Sequence, residues 1–282
     1  GAIEDLRGAP DVRRRVCSDS AGVVGYVSLV VSPHLAHETD GWVADARRLW
    51  PGVDRPNLMI KVPATPAGAP AIENLIAGGI NVNATLMFSL GDYEAVAQAY
   101  CRGITACADP GRVASVASFF VSRVDTKVDA ALEAIGSDRA LALRGKAAVA
   151  NAKLAYRRFQ EIFLDGPFAE HAARGARVLR PLWASTSSKN PAYRDVVYVE
   201  ELIGPDTVNT LPVATLEAFR DHGELRTSIT EGVDEAAATL AALADLGSDI
   251  DAVTDDLQAE GVTAFAAAFD QLLAALYGAR SV

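Results

Sequence analysis

The sequence of 282 residues has few cysteines, and their arrangement fits neither a redox pair nor a metal site. Cys17, Cys101 and Cys107 are an odd number of thiols, without any Cys-x-x-Cys pair. No cluster of cysteine and histidine has the spacing of metal ligands. The count therefore indicates a reducing, cytoplasmic compartment, thiols that are buried or unreactive, and no metal centre.

Other absences restrict the function class further. No apolar run reaches the length of a membrane span, and no secretory signal peptide is visible at the N-terminus. The formal net charge of −10 argues against nucleic acid as a partner. No Gly-x-Gly-x-x-Gly follows a predicted strand, which disfavours a dinucleotide-binding fold. What remains is a folded globular protein, in which half of the residues are apolar.

The apolar pattern predicts short strands that alternate with longer helices. Strands are predicted at Tyr26–Val31, Leu58–Val62, Ile80–Met87, Val113–Val121, Arg177–Ser185 and Thr207–Pro212. Helices are predicted at His37–Trp50, Ala69–Gly78, Asp92–Cys107, Val124–Phe163, Ala192–Leu202, Thr215–His222, Asp234–Leu246 and Val253–Tyr277. This alternation implies a parallel α/β sheet, and no linker divides residues 1–282 into domains.

Such a sheet closes in one of two ways, as an open doubly wound sheet or as a (β/α)8 barrel. Asn81, Asn83 and Thr85 lie on one face of their strand and apolar residues on the other, which favours a barrel with a polar interior. Only six strands are predicted, whereas a (β/α)8 barrel has eight. We therefore expect a single barrel domain that is incomplete at its N-terminus.

Lys61 lies within the apolar strand Leu58–Val62. A charged amine in such a run has to be hydrated, paired or used, because burying an isolated ammonium is costly. One hypothesis is that its amine loses a proton and attacks a carbonyl. The alternative is a lysine that lies at a sheet edge or extends to the rim, and the residues by themselves support both equally.

The chain also resembles the transaldolase family, in its longer bacterial branch. Five segments carry the resemblance, in order along the chain: Arg55–Thr65, Ile80–Ser89, Ser115–Thr126, Arg180–Ser187 and Gly204–Thr210. The resemblance implies a (β/α)8 barrel that uses no cofactor. It also implies a transferase of the pentose phosphate pathway that moves a dihydroxyacetone unit. Sedoheptulose 7-phosphate and fructose 6-phosphate would be the donors, and glyceraldehyde 3-phosphate and erythrose 4-phosphate the acceptors. The partners would be sugar phosphates, with a homodimer left open.

The resemblance assigns roles to particular residues. Lys61 matches the Schiff-base lysine, Asn83 a group that binds substrate hydroxyls, and Thr85 the residue that holds a catalytic water. The substrate and phosphate positions match Ser118, Phe120, Arg123, Ser185 and Lys189. Without the resemblance, these positions are typical of buried polar pairs, a core aromatic, and a surface salt bridge of Arg123 to Asp125. Trp183, Tyr26 and the apolar stripe Val262–Leu276 are predicted to be packing.

Two departures from the family pattern bear on activity. The aspartate of the family's first strand and the Thr-Asn-Pro motif of its second strand do not occur here. Loss of a general acid/base typically slows a reaction by about 10²–10⁴-fold. In addition, Val30 stands where the third strand of the family carries a glutamate that holds the catalytic water. The departures predict weaker imine chemistry, or another group that substitutes. The second hypothesis is therefore a transaldolase-like paralogue with altered or weak activity that binds sugar phosphates or a protein partner.

Overall fold

In the part of the chain that the structure describes, six parallel strands form one sheet in sequence order, and each overlaps a predicted strand. The computed structural model describes residues 2–35 and 38–279, and the side chains of residues 7–35 and 38–275. The strands are β1 (Val27–Val30), β2 (Leu58–Pro63), β3 (Val82–Met87), β4 (Val116–Phe120), β5 (Arg180–Ala184) and β6 (Val208–Asn209). Within the described residues, β1 and β6 are the two edges of the sheet.

Helices connect the strands and continue beyond the sheet. They are α1 (Ala2–Asp19), α2 (Thr39–Val53), α3 (Gly68–Ala77), α4 (Leu90–Ala106), α5 (Ser122–Ile135), α6 (Asp138–Leu141), α7 (Ala147–Phe159), α8 (Ala169–Ala173), α9 (Val197–Glu200), α10 (Val213–His222), α11 (Val233–Asp245) and α12 (Ile250–Ala279). Ser89 begins α4 with a capping box, in which its hydroxyl accepts the backbone N–H of Asp92 at 2.9 Å. The predicted start of α2, His37, lies outside the described residues.

Three helix predictions were wrong in extent. No helix was predicted before β1, yet α1 fills that region, with Pro10 inside it. The predicted helix Val124–Phe163 is divided into α5, α6 and α7. It breaks because Gly136 and Gly145 adopt left-handed backbone angles, φ 68° and 70°, that end a helix. The predicted helix Ala192–Leu202 is only the short α9.

Side chains alternate between the two faces of the sheet, as the period of a strand requires. The outer face packs on the helices, and in β2 its residues Leu58, Ile60 and Val62 belong to the main core. The inner face forms a smaller apolar cluster, which contains Met59 of β2 and Leu182 of β5. Lys61 therefore belongs to the inner face. Within the described residues, no helix is both long enough and apolar enough to cross a membrane.

The three thiols are free in the structure. Cys107 is buried, whereas Cys17 and Cys101 are partly exposed. Burial raises the pKa of the Cys101 thiol to about 11, so that little of the reactive thiolate forms near neutral pH.

A buried carboxylate, Asp125, joins α5 to the start of α7. It accepts the backbone N–H of Ala148 and the hydroxyl of Tyr198, both at 2.7 Å. Burial raises the pKa of Asp125 to about 6, above its ordinary value, so the folded state binds a proton more tightly than the unfolded chain. The stabilisation by that proton is complete below about pH 4 and is lost as the pH rises through about 6.

We predict that replacement of Asp125 by asparagine removes this pH dependence. The free energy of unfolding of the parent should fall between pH 4 and 6, by up to about 3 kcal/mol, and that of the variant should not. Urea unfolding at closely spaced pH values measures the difference. Asp138→Asn, at an exposed position of α6, is the control. A parallel pH dependence in the parent and the Asp125 variant would contradict the prediction.

Candidate functional site

The inner face of the sheet brings the predicted polar residues together. Lys61 pairs with Val30 of β1 on one side and with Asn83 of β3 on the other. Thr85 lies two residues after Asn83 on the same face of β3, opposite Pro63. These positions follow from parallel register and from a period of two, which place alternate side chains of neighbouring strands side by side.

The amine of Lys61 is largely shielded from solvent. Burial lowers its pKa below the ordinary value of a lysine, because the charged form loses hydration. Within the described residues, Lys61 makes no hydrogen bond and no salt bridge to a carboxylate. Its Nζ atom lies 5.6 Å from the centroid of the Phe265 ring. Of the two interpretations of this lysine, the geometry therefore favours the nucleophile over a lysine that extends to the rim.

Asn83 stands at the centre of a hydrogen-bonded chain that spans three strands. The hydroxyl of Ser118 on β4 donates to Asn83 Oδ1 at 2.7 Å, and Asn83 Nδ2 donates to the hydroxyl of Ser28 on β1 at 2.9 Å. These two bonds fix the orientation of the amide, and one N–H remains for a ligand. Ser28 was not predicted as a site residue. The sequence feature that could have identified Ser28 is its position two residues before Val30, which places both on the same face of β1.

Thr85 is buried, and its hydroxyl has no hydrogen-bond partner within the described part of the chain. It borders a cavity of about 10 Å³ that is also lined by Lys61, Val30 and Phe265. Its lining is apolar apart from Lys61 and Thr85, and its volume is near the minimum that holds one water molecule. Directly after Thr85, Leu86 adopts a left-handed backbone conformation with φ 55°, at an irregularity in the β3–β4 register. Strained backbone of this kind is concentrated at functional sites.

Lys61 also borders a larger cavity of about 300 Å³ on the inner face. Its lining includes Ser28, Asn83, Arg180 of β5 and Thr210 after β6. Lys61 is thus the residue that borders both cavities. The larger cavity has room for a small polar molecule, with hydroxyl and amide groups at its wall.

Phe120 lies at the end of β4 and forms part of the wall of the inner face. Its ring packs at 5.0 Å from that of Phe88, at an angle of 36°. Its neighbour on the same face, Ser118, is buried. Both therefore lie on the same side of the sheet as Lys61.

The predicted phosphate residues divide into two places. Arg123 is exposed in the first turn of α5, and Ser185 follows β5 with φ 55°. The hydroxyl of Ser185 lies 3.0 Å from that of Ser122, the first residue of α5. A helix N-terminus with an arginine and two hydroxyls suits an anion. The alternative of a salt bridge from Arg123 to Asp125 is not formed, since Asp125 is engaged by Ala148 and Tyr198.

Lys189 lies elsewhere. Its ammonium donates to the hydroxyl of Ser187, and it borders a cavity of about 260 Å³ that is lined by Asp125, Asp129 and Glu133. Acidic side chains around Lys189 do not favour the binding of a phosphate group there. Lys189 and Lys61 border different cavities, so the structure does not bring the two lysines together.

The C-terminal helix α12 contributes to the site, although the sequence indicated only packing there. Val262 and Phe265 border the small cavity beside Lys61. Gln258 donates its side-chain N–H groups to the carbonyls of Ala64 and Leu86, at the ends of β2 and β3. The apolar stripe was visible in the sequence, but no pattern in it indicated which strand it would face.

The chain is similar to known proteins over nearly its whole length. Residues 2–276 match the family model described as transaldolase/fructose-6-phosphate aldolase. A "Transaldolase" of Thiobacillus denitrificans is 53% identical over 276 residues, which is 96% of this chain and 77% of the relative. A "Transaldolase" of Parafrankia sp. is 53% identical over 95% of this chain and 74% of its own. The "Transaldolase 1" of Streptomyces coelicolor is 50% identical over 96% of this chain and 73% of its own.

These matches confirm the predicted family, the barrel-type α/β fold and the enzyme class, a transferase. They extend from α1 into α12 and so include every element that borders the lysine. The chain belongs to the transaldolase/fructose-6-phosphate aldolase family.

Proposed function

We propose that this chain transfers a dihydroxyacetone unit between sugar phosphates through a Schiff base on Lys61. The observation that carries the proposal is the setting of Lys61: its amine is shielded and has a lowered pKa, it has no carboxylate partner among the described residues, and the residue borders two cavities. A lysine in such a setting has a larger share of neutral amine at physiological pH, and the neutral amine is the nucleophile.

The chemistry then follows from the amine. Neutral Nζ attacks the C2 carbonyl of a ketose phosphate, and the adduct loses water to give an iminium ion. The iminium accepts the electron pair of the C3–C4 bond while the C4 hydroxyl loses its proton, and an aldose phosphate leaves. The remaining enamine attacks the aldehyde carbon of an acceptor, whose oxygen takes up a proton. Water then hydrolyses the new imine and restores the amine.

The neighbours of Lys61 support these steps. Thr85 offers a buried, unpartnered hydroxyl to the water that is lost and regained. Asn83, oriented by Ser118 and Ser28, offers an N–H to substrate hydroxyls. Arg123 and Ser185, at the N-terminus of α5, supply the charge and hydroxyl for the terminal phosphate. Phe120 forms part of the wall of the pocket, and Lys189, whose surroundings are acidic, is assigned no step.

We assign the substrates, the pathway, the compartment and the assembly from the resemblance to the transaldolase family. The donors are sedoheptulose 7-phosphate or fructose 6-phosphate, and the reaction belongs to the pentose phosphate pathway in the cytoplasm. Residues 1–282 act as one barrel domain, and a homodimer is the assembly that we propose to test by light scattering. No cofactor takes part in the proposed steps.

A second candidate function rests on Val30. Val30 lies opposite Lys61 in the register of the sheet, and its apolar side chain neither donates nor accepts a hydrogen bond. This observation favours a paralogue that binds sugar phosphates and turns them over weakly. The two candidates differ in rate, since both form the adduct and only the first transfers the three-carbon unit efficiently.

Reductive trapping tests the proposed function. The protein is incubated with fructose 6-phosphate, reduced with borohydride and digested, and the adduct is mapped by mass spectrometry. We expect the adduct on Lys61. Lys153 is the internal control, because it is also buried but its ammonium is bound by Glu201 and by the carbonyl of Glu231. An adduct on another lysine, or none, would overturn the mechanism. An adduct without transfer to erythrose 4-phosphate would favour the second candidate.

A further inference from the structure

Helix α12 is held across the carboxyl ends of the strands that carry Lys61 and Thr85. The side chain of Gln258 donates to the carbonyls of Ala64 and Leu86, both at 3.2 Å. On its outer side, α12 is paired with α5, where Lys127 contacts Asp256 at 3.1 Å and Glu260 at 2.8 Å. The helix is thus anchored on both sides of the site.

The contact of α12 with the sheet is close at one position. A Cβ atom at Gly261 would lie only 2.9 Å from Cδ2 of Leu86, so a glycine lets the helix approach the end of β3. Phe265 follows one turn later on the same face of the helix. This close approach brings the ring of Phe265 to the amine of Lys61, with the centroid 5.6 Å from Nζ.

The ring is a group that favours a positive charge on the amine. A cation within about 6 Å of an aromatic face is stabilised by the ring's quadrupole. Val30, directly opposite Lys61 in the sheet, is apolar. Among the described residues that line the two cavities at Lys61, the titratable side chains are Tyr26 and Arg180, and neither is an anion at neutral pH. Among the described residues that line these cavities, no carboxylate is available for this charge.

We propose that the ring of Phe265 stabilises the positive charge on Lys61 Nζ in the Schiff-base intermediate, and so takes the place of a carboxylate beside the lysine. The proposal rests on the proposed function, since it concerns the same iminium. When the neutral amine and a carbonyl combine with a proton and release water, Nζ changes from uncharged to positive. The ring favours the charged product over the neutral amine, and it also favours the ammonium of the free enzyme.

This role has a pH signature that packing alone does not produce. Above the pKa of Lys61 the free amine is neutral, so loss of the ring should weaken iminium formation. Below that pKa both states are cations, and the effect on their equilibrium should largely cancel. Loss of the ring should also lower the pKa of the free lysine, because the ammonium loses its stabilising partner.

The first experiment measures the pKa of Lys61 without any sugar. Acetic anhydride acetylates neutral amines, and the pH dependence of Lys61 acetylation is followed by mass spectrometry. In Phe265→Leu the acid dissociation constant of Lys61 should rise about 2- to 30-fold, the range of cation–π energies. Phe265→Tyr keeps the ring and should retain the parent value. Val30→Glu places a carboxylate opposite the amine and should raise the pKa, which shows that the assay responds in both directions.

The matched control is Phe269→Leu, one turn further along α12. Phe269 packs on His34, with ring centroids 6.2 Å apart, and it lies outside both cavities at Lys61. This variant makes the same chemical change to the same helix. Its Lys61 pKa should match that of the parent. Circular dichroism of each variant verifies that α12 and the barrel are folded.

The second experiment traps the adduct with fructose 6-phosphate and borohydride on both sides of the Lys61 pKa. Phe265→Leu should lose adduct about 2- to 30-fold above that pKa, and much less below it. A Lys61 pKa that is unchanged in Phe265→Leu, or shifted equally in Phe269→Leu, would overturn the proposal. So would an adduct yield that falls equally at all pH values. No adduct in the parent protein would instead overturn the proposed function, whatever the acetylation data show.

Discussion

Replacing Lys61 with methionine is expected to reduce transaldolase turnover by roughly 10⁴- to 10⁶-fold, the loss measured when a covalent nucleophile is removed. Methionine has a similar length and no amine, so it forms no iminium and offers no electron sink for the C3–C4 bond. Lys61 also has no ion-pair partner among the described residues and lies at the border of two cavities. The substitution should therefore leave the fold intact and remove a desolvated charge. Transfer from fructose 6-phosphate to erythrose 4-phosphate, followed by release of glyceraldehyde 3-phosphate, measures the loss.

The matched control for this prediction is Lys153→Met. Lys153 is a buried lysine too, but its ammonium is bound by Glu201 at 3.2 Å and by the carbonyl of Glu231 at 2.9 Å. Its removal leaves Glu201 with one partner fewer, so the expected loss is one of stability, by about 1–3 kcal/mol, with little change in turnover per folded molecule. Comparable losses of turnover in both variants would contradict a specific role for Lys61.

The second large effect is expected for Arg123→Ala. This variant should lower kcat/KM for fructose 6-phosphate by about 10- to 100-fold, since a charge-assisted hydrogen bond contributes about 1.5–3 kcal/mol. The loss should appear chiefly in KM, because the terminal phosphate is remote from the reacting bond and is bound in the ground state and transition state alike. Unphosphorylated fructose, a poorer donor, should react equally with the parent and the variant.

Arg112→Ala is the control for this comparison. Arg112 is likewise exposed, but it lies in the short 3-10 helix Pro110–Arg112 that precedes β4, at the opposite end of the strand from Arg123. It should leave both donors unaffected, which separates local phosphate binding from a change in overall charge. If Arg123→Ala weakened both donors by the same factor, its role would be structural and the phosphate assignment would be wrong.

The secondary structure was largely predictable because the signals that specify it are local. The alternation around Lys61 and Asn83 correctly predicted β2, β3 and their inner face, since side chains along a strand alternate whatever lies nearby. The predictions were wrong where a local signal was ambiguous. Pro10 lies inside α1 and weakened the helical pattern there. Gly136 lies within an apolar helical pattern, and only its left-handed backbone showed that α5 ends before it.

The candidate site was predictable in its polar residues and not in its charge environment. In the barrel that the polar alternation favoured, neighbouring strands follow sequence order, so the proximity of Ser118, Asn83 and Lys61 could be inferred. The proximity of Ser185 to the first turn of α5 followed in the same way, because β4 and β5 are neighbours. Lys189 shows the limit of this inference. It follows Ser185 closely in sequence, yet the loop directs it to the acidic cavity behind α5.

The sequence by itself determined that Lys61, Asn83 and Thr85 lie on strands of a parallel sheet, and that Asn83 and Thr85 share one face of their strand. Those facts depend on a period of two and on the alternation of strands with helices, which are both patterns in the sequence. Only the tertiary structure decided that the charge of Lys61 meets the ring of Phe265. That contact depends on how closely α12 packs across the strand ends at Gly261. A helix with an apolar stripe carries no local signal for which part of the sheet it will cover.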